Sequence, residues 1–269
     1  MVGIMRLLPS VFLALLLCGL GWFQFGQPLN ARALLTRAED NFDRRPARAI
    51  LILGNSRTSY HDLPDMVRAM ADSAHDPQKL EITLDAPGGG SFEILWNDDA
   101  TQRLLKQRWD DVILQGESRA QSSEELGRSF QTYGADLISG ARRVSGHARL
   151  VVNWAYASSL WSDGDPDGSG RADLKREIRT STTALGESTG AHLVDVAGIW
   201  SAVERDHPEI ALTEDGNHPS LAGSYLFALA LYSDLSGRDV GSVTYAPSGL
   251  DPSAVAKIRQ EVRDFQAMS

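Results

Sequence analysis

Short apolar runs recur along the chain at 49–53, 80–86, 111–115, 149–154 and 192–196. None alternates strictly between apolar and polar positions, which is the pattern of strands covered on both faces. Between them the apolar residues take the helical period, at 63–75, 91–108, 122–144 and 171–185, with further stretches at 219–235 and 252–266. Asp62-Leu63-Pro64-Asp65 offers a cap followed by an early proline, and Asp251-Pro252 repeats the arrangement; both are helix-start signals. Strands alternating with helices predict an α/β fold. The expected form is a flavodoxin-like three-layer sandwich around a five-stranded parallel sheet of order 2-1-3-4-5.

Polar residues just beyond the strands of such a sheet converge on its carboxyl edge. After the first strand comes Gly54-Asn55-Ser56-Arg57-Thr58, after the second Pro87-Gly88-Gly89-Gly90-Ser91, and after the third Gln115-Gly116-Glu117-Ser118. Asp215-Gly216-Asn217-His218-Pro219 precedes the apolar stretch that begins at 219. Together they supply a hydroxyl, a flexible run of backbone N–H groups, an amide side chain and an Asp-x-x-His pair. Acyl transfer needs those parts: nucleophile, oxyanion donors, base and a group that orients the base.

Each residue also has a plainer reading. Ser56 after Gly-Asn suits a turn serine, and the glycines at 88–90 suit a flexible turn. Of the six histidines only His218 follows an Asp at three residues and precedes a helix; His207 reads as a surface residue before proline, and His61 as a loop residue beside a helix cap. Gln115 closes a buried strand, where a polar side chain needs a partner; an oxyanion or a backbone carbonyl would serve. Asn153, Trp154, Tyr156 and Trp161 follow the fourth strand and either line a sugar-sized cleft or pack. Gly186-Glu187-Ser188-Thr189-Gly190 matches the Gly-x-Ser-x-Gly elbow letter for letter. That elbow needs a strand before it and a helix after it, and here the order is reversed, so the segment reads as a helix stop.

The four segments resemble blocks I, II, III and V of the SGNH (GDSL-like) hydrolase superfamily, in order, over most of residues 49–235. The first resembles the Gly-Asn-Ser-x-Thr variant, with Asn55 where the commonest pattern has Asp. The third, Leu114-Gln115-Gly116-Glu117-Ser118, is similar to carbohydrate acetylesterases of the sialate and acetylxylan type, and lacks the usual Gly-x-Asn. The last continues into Ala222-Gly223-Ser224-Tyr225 in the family manner. The resemblance implies a serine esterase acting on small acyl esters, acetyl above all, of a carbohydrate. Ser56 would be the nucleophile, His218 the base and Asp215 its orienter. The oxyanion hole would comprise the N–H groups of Ser56 and Gly89 with the Gln115 amide, Ser118 being a weaker candidate for the third donor. No cofactor and no metal are implied. The same parts would serve a polysaccharide O-acetyltransferase, a lipase or a thioesterase, and the fold alone would serve a non-catalytic glycan binder. No role is assigned to Glu117.

Composition narrows the setting. With 269 residues, 42% hydrophobic and 23% charged, the chain has the make-up of an ordinary globular protein. Its net charge of −9 and the lack of a basic block argue against a nucleic-acid partner. Arg6 followed by the uncharged residues 7–25 reads as an export signal or a retained N-terminal membrane anchor, with Ala31-Arg32-Ala33 as a small-x-small cleavage pattern. The expected division is signal or anchor over 1–33, linker over 34–48 and one domain over 49–269, with a periplasmic or secreted location. The bulky Leu17 before Cys18 argues against a lipoprotein. Cys18 is the only cysteine, so outside the leader neither disulfides nor thiolate chemistry can contribute.

Overall fold

A computed structural model describes residues 43–117, 123–157 and 169–268. The strands are β1 (Ala47–Leu53), β2 (Lys79–Asp85), β3 (Trp109–Leu114), β4 (Ser145–Val151) and β5 (His192–Val194). They form one sheet of order β2-β1-β3-β4-β5, and every neighbouring pair is parallel. This is the predicted topology, with helices on both faces.

Those helices are α1 (Ser56–Ser59), α2 (Leu63–Ser73), α3 (Phe92–Asn97), α4 (Asp99–Leu104), α5 (Glu124–Val144), α6 (Ser169–Thr189), α7 (Val196–Asp206), α8 (Leu221–Ser236) and α9 (Pro252–Met268). The pleat of β1 explains the layering. Ile50 and Ile52 point to one side, into a core shared with α2, α7, α8 and α9. Leu51 and Leu53 point to the other, against α3, α5 and Leu185 of α6. A strand buried on both faces has no polar side to show, which is why its sequence lacked alternation. α8 is apolar all round and buried along nearly its whole length, as a helix enclosed by neighbours must be.

Several boundaries differ from the sequence reading. β1 starts at Ala47, inside the segment expected to be linker, and β4 starts at Ser145 where 149 was expected. The early residues of β4 are polar, and ladder pairing of Ser145 and His147 with β3 extends the strand past its apolar run. The helix expected over 91–108 is two helices. Asp98 breaks it by accepting hydrogen bonds from the Ala100 and Thr101 N–H groups, capping α4. Asp62 does not cap α2 through its side chain; its backbone is left-handed, with φ 53°. Asp251 does cap α9, accepting from Ser253 N at 2.8 Å. Asp111 is fully buried in β3, and is compensated there by Arg48 and Arg149.

The chain divides at Arg45. Of Met1–Arg45 only residues 43–45 are described, so the expected leader lies outside the described residues. Pro46–Ser269 carries the sheet and all nine helices named above. Among the described residues no helix is long and apolar enough to cross a membrane.

One glycine holds the last segment in place. A Cβ on Gly223 in the first turn of α8 would lie 2.1 Å from the Leu212 carbonyl oxygen, and that same oxygen accepts from Ser220 N at 2.9 Å. Gly223→Ala should therefore cost about 1–3 kcal/mol of stability, as overpacking does. Thermal unfolding should show a loss of several degrees; an unchanged melting temperature would contradict the close approach.

Candidate active site

At the end of β1 the chain turns through Gly54 and Asn55 into α1. Asn55 is buried at 5% exposure, so each of its polar atoms needs a partner. Its Oδ1 accepts from Arg57 N at 3.1 Å, and its Nδ2 donates to the Gly90 carbonyl at 3.1 Å. Thr58 closes the other half of a capping box. The second of these bonds explains the departure at this position: an aspartate has no N–H to give Gly90. Asn55 thus ties the Ser56 loop to the glycine loop.

The Asp215–His218 turn lies in a hairpin closed by a Thr213–Pro219 bridge and by Glu214 N donating to the His218 carbonyl at 3.0 Å. Asp215 Oδ1 accepts from the N–H groups of Asn217 (2.9 Å) and His218 (2.7 Å). Its Oδ2 lies 2.7 Å from His218 Nδ1, and His218 Nε2 lies 3.0 Å from Ser56 Oγ. With Nδ1–H donated to the carboxylate, Nε2 is left to accept the serine proton. The His218 ring and its N–H hold the Asp215 carboxyl well below the usual carboxylate range, so Asp215 stays ionised through neutral and mildly acidic pH. The Tyr60 ring stacks on the imidazole, with centroids 4.5 Å apart and planes at 4°.

In the glycine loop, Gly90 N donates to the Pro87 carbonyl at 2.9 Å, closing a turn in which Gly89 has φ 70°. A positive φ at that position is what type II turns require. No partner for the N–H of Gly89 or of Ser56 is found among the described residues.

Gln115 is a correction. Its side chain is sealed from solvent, donates Nε2–H to the Gly116 carbonyl, and accepts from Asn55 N at 3.3 Å through Oε1. Flipping the amide would set two donors and two acceptors face to face, so the orientation is fixed. In the resting protein it is an internal strut between the Ser56 loop and the segment after β3. Trp154 and Asn153 are corrected in the same way. Trp154 is 1% exposed and stacks on Trp200 at 4.1 Å between centroids. Asn153 is buried and donates to the Gly116 carbonyl. Tyr156 is half-buried and packs beside Ala155, Leu174 and Ile178. Ser118 and Trp161 lie outside the described residues.

Sequence reasoning passed over three residues. Arg57, Tyr60 and Asn217 carry no motif letter of their own, although Arg57 and Asn217 stand inside the quoted blocks and adjoin their key residues. The Gly186–Gly190 segment ends α6, with Gly190 at φ 69°. His207 is part-buried and faces Glu261 on α9 at 3.1 Å, and His61 stands in a 3-10 turn and faces Glu214 at 2.8 Å. Among the described residues no group of three or more His, Cys, Asp or Glu is placed to hold a metal.

No family model matches the chain, and no curated protein matches it. Solved structures do. A protein of the DUF4886 family from Bacteroides uniformis has a TM-score of 0.66 at 16% identity, covering 81% of this chain and 94% of its own. A protein from Slackia heliotrinireducens, assigned as an SGNH hydrolase, has a TM-score of 0.58 at 27% identity, covering 70% and 99%. An acetylxylan esterase from Geobacillus stearothermophilus has a TM-score of 0.57 at 15% identity, covering 74% and 98%. The neighbours include SGNH and GDSL-like hydrolases, and the chain has the fold of that superfamily.

Glu117 sits beyond β3 with one carboxyl oxygen, Oε2, buried and unpartnered. Burial raises its pKa above the ordinary 4.5, with hydrogen bonds from the N–H groups of Glu117 and Phe92 opposing and Glu93 adding to the rise. A carboxyl whose folded value is raised is best tolerated when protonated, so it should weaken the fold as pH climbs through the window above 4.5. Glu117→Gln should flatten the fall in melting temperature across that window and raise stability at neutral pH. Parallel pH–melting curves for the two proteins would contradict this.

Proposed function

We propose that the chain is an SGNH-type serine esterase that cleaves small acyl esters, acetyl esters of a carbohydrate in particular. The observation that carries this reading is the continuous chain of hydrogen bonds from Ser56 Oγ through His218 to Asp215. Ser56 attacks the ester carbonyl as its proton passes to His218 Nε2. The oxygen that gains negative charge is met by the N–H groups of Ser56 and Gly89. Collapse expels the alcohol, which takes the proton back from His218. A water, deprotonated by His218, then attacks the acyl-serine and releases the acid, restoring Ser56 and the neutral imidazole. Asp215 remains ionised and stabilises the imidazolium in both halves.

The Geobacillus acetylxylan esterase supports the carbohydrate part. Its catalytic mutants replace an aspartate and a histidine three residues apart, the spacing of Asp215 and His218. The Gln115-Gly116-Glu117 block points the same way. Acceptor binding, not the hydrolytic parts, would make the same site an O-acetyltransferase.

Hydrolysis of p-nitrophenyl acetate and of acetylated xylooligosaccharides should fall on the order of 10⁴–10⁶-fold in Ser56→Ala and His218→Ala, and about 10³–10⁴-fold in Asp215→Asn. Wild-type turnover retained by Ser56→Ala would contradict the mechanism. Hydrolysis of p-nitrophenyl acetate without release of acetate from sugars would contradict the carbohydrate assignment.

A further inference from the structure

Ser56 and Asp215–His218 belong to segments far apart in sequence, and the Arg57 side chain is one of those that tie them together. Arg57, next to the nucleophile, is 3% exposed. Its NH1 donates to the Trp154 carbonyl at 2.7 Å. Its NH2 and Nε donate to Asn217 Oδ1 at 2.7 and 3.3 Å. Its guanidinium carbon lies 4.6 Å from the centre of the Trp154 ring. The end of β1, the segment after β4 and the base turn therefore meet on a single planar cation. A guanidinium can do this because its donors diverge in one plane while its face stays free for an aromatic ring.

A buried cation is costly unless it is matched. Every bonded partner of Arg57 is neutral: a carbonyl, an amide oxygen and an indole face. Asp215 supplies the opposing negative charge, and acts against the fall in Arg57 basicity caused by burial. Asn217 stands between Asp215 and His218, and its own N–H is spent on Asp215. Fixing the Asn217 side chain thus fixes the turn on which both residues ride. Two further bonds hold that turn to the same segment: Trp154 Nε1 to the Asn217 carbonyl at 3.2 Å, and Ala157 N to the Gly216 carbonyl at 2.7 Å.

We infer that Arg57 is a positioning residue for the proposed reaction. Through Asn217 it sets the distance and angle between Ser56 Oγ and His218 Nε2, without itself touching the reacting atoms. This inference rests on the esterase reading for its kinetic consequences but not for its structural one. The hydroxyl-to-imidazole register is a property of the resting protein.

The test is a double-mutant cycle of Arg57→Met and Asn217→Ala, with Arg57→Lys as the conservative variant. Kinetics with p-nitrophenyl acetate are paired with proton and nitrogen NMR of the His218 ring in the resting protein. Each single variant should lower kcat about 10²-fold, the usual cost of a misplacement near 1 Å, while KM moves less than threefold. The double variant should be no worse than the poorer single, because both break one connection. Arg57→Lys should recover only part of the rate, since an ammonium cannot make the same fork. The His218 ring signals should move in both singles. Should Arg57→Met fold poorly, Asn217→Ala, on a partly exposed turn, carries the test alone. Additive losses, losses confined to KM, or full recovery by lysine would overturn the inference. An inactive wild type would defeat the esterase reading; the ring signals would then decide, shifted signals supporting the positioning role and unmoved ones overturning it.

Discussion

The hydrogen bond of 3.0 Å between Ser56 and His218 joins residues 162 positions apart, and the order of the sheet exists in a form that permits it. β1 is central enough to be flanked by β2 and β3, so its end faces the strand-end loops on either side. α8 is buried along nearly its whole length, which anchors the start of that helix and the hairpin before it. Ser56 occupies the first helical position after a sharp cap, and His218 the last position before Pro219. Ser56 opens α1 and His218 lies in the short hairpin before α8, and backbone bonds hold both segments.

Around that pair the buried polar groups form a connected set. Asn55 reaches Gly90, Gln115 reaches Asn55 and Gly116, Asn153 reaches Gly116, and Arg57 reaches Trp154 and Asn217. A buried donor or acceptor left alone costs roughly 1–3 kcal/mol, so these bonds hold the strand ends in one mutual arrangement. Glu117 Oε2 and Asn153 Oδ1 are the exceptions beside the set. Both belong to segments that immediately follow strands lining the site.

The architecture was legible because parallel strands buried on both faces leave continuous apolar runs, and helices between them leave a different period. Boundaries were less legible: polar ladder residues such as Ser145 and His147 carry no apolar signal, and Asp98 stops a helix by a side-chain bond that periodicity does not register. The candidate nucleophile, base and orienter could be read because their spacing is local, as in Asp215 to His218, or because a strand end places them. Gln115 could not be assigned correctly. A strand-end amide looks the same in sequence whether it faces a substrate or an inward carbonyl, and only the neighbouring Asn55 N–H and Gly116 carbonyl decide. Trp154 posed the same difficulty; its burial depends on Trp200 and on Arg57, neither of them near it in sequence. Tyr60 and Asn217 matter through contacts with His218 and Arg57 that no local pattern announces.

Labelling the purified protein with a fluorophosphonate and locating the adduct by peptide mass spectrometry addresses the mechanism at a single atom. The serine–histidine–aspartate arrangement predicts one adduct, on the peptide containing Ser56, and its loss when His218 is replaced. An adduct on Ser188, the serine of the elbow-like segment at the end of α6, or labelling that persists without His218, would contradict it.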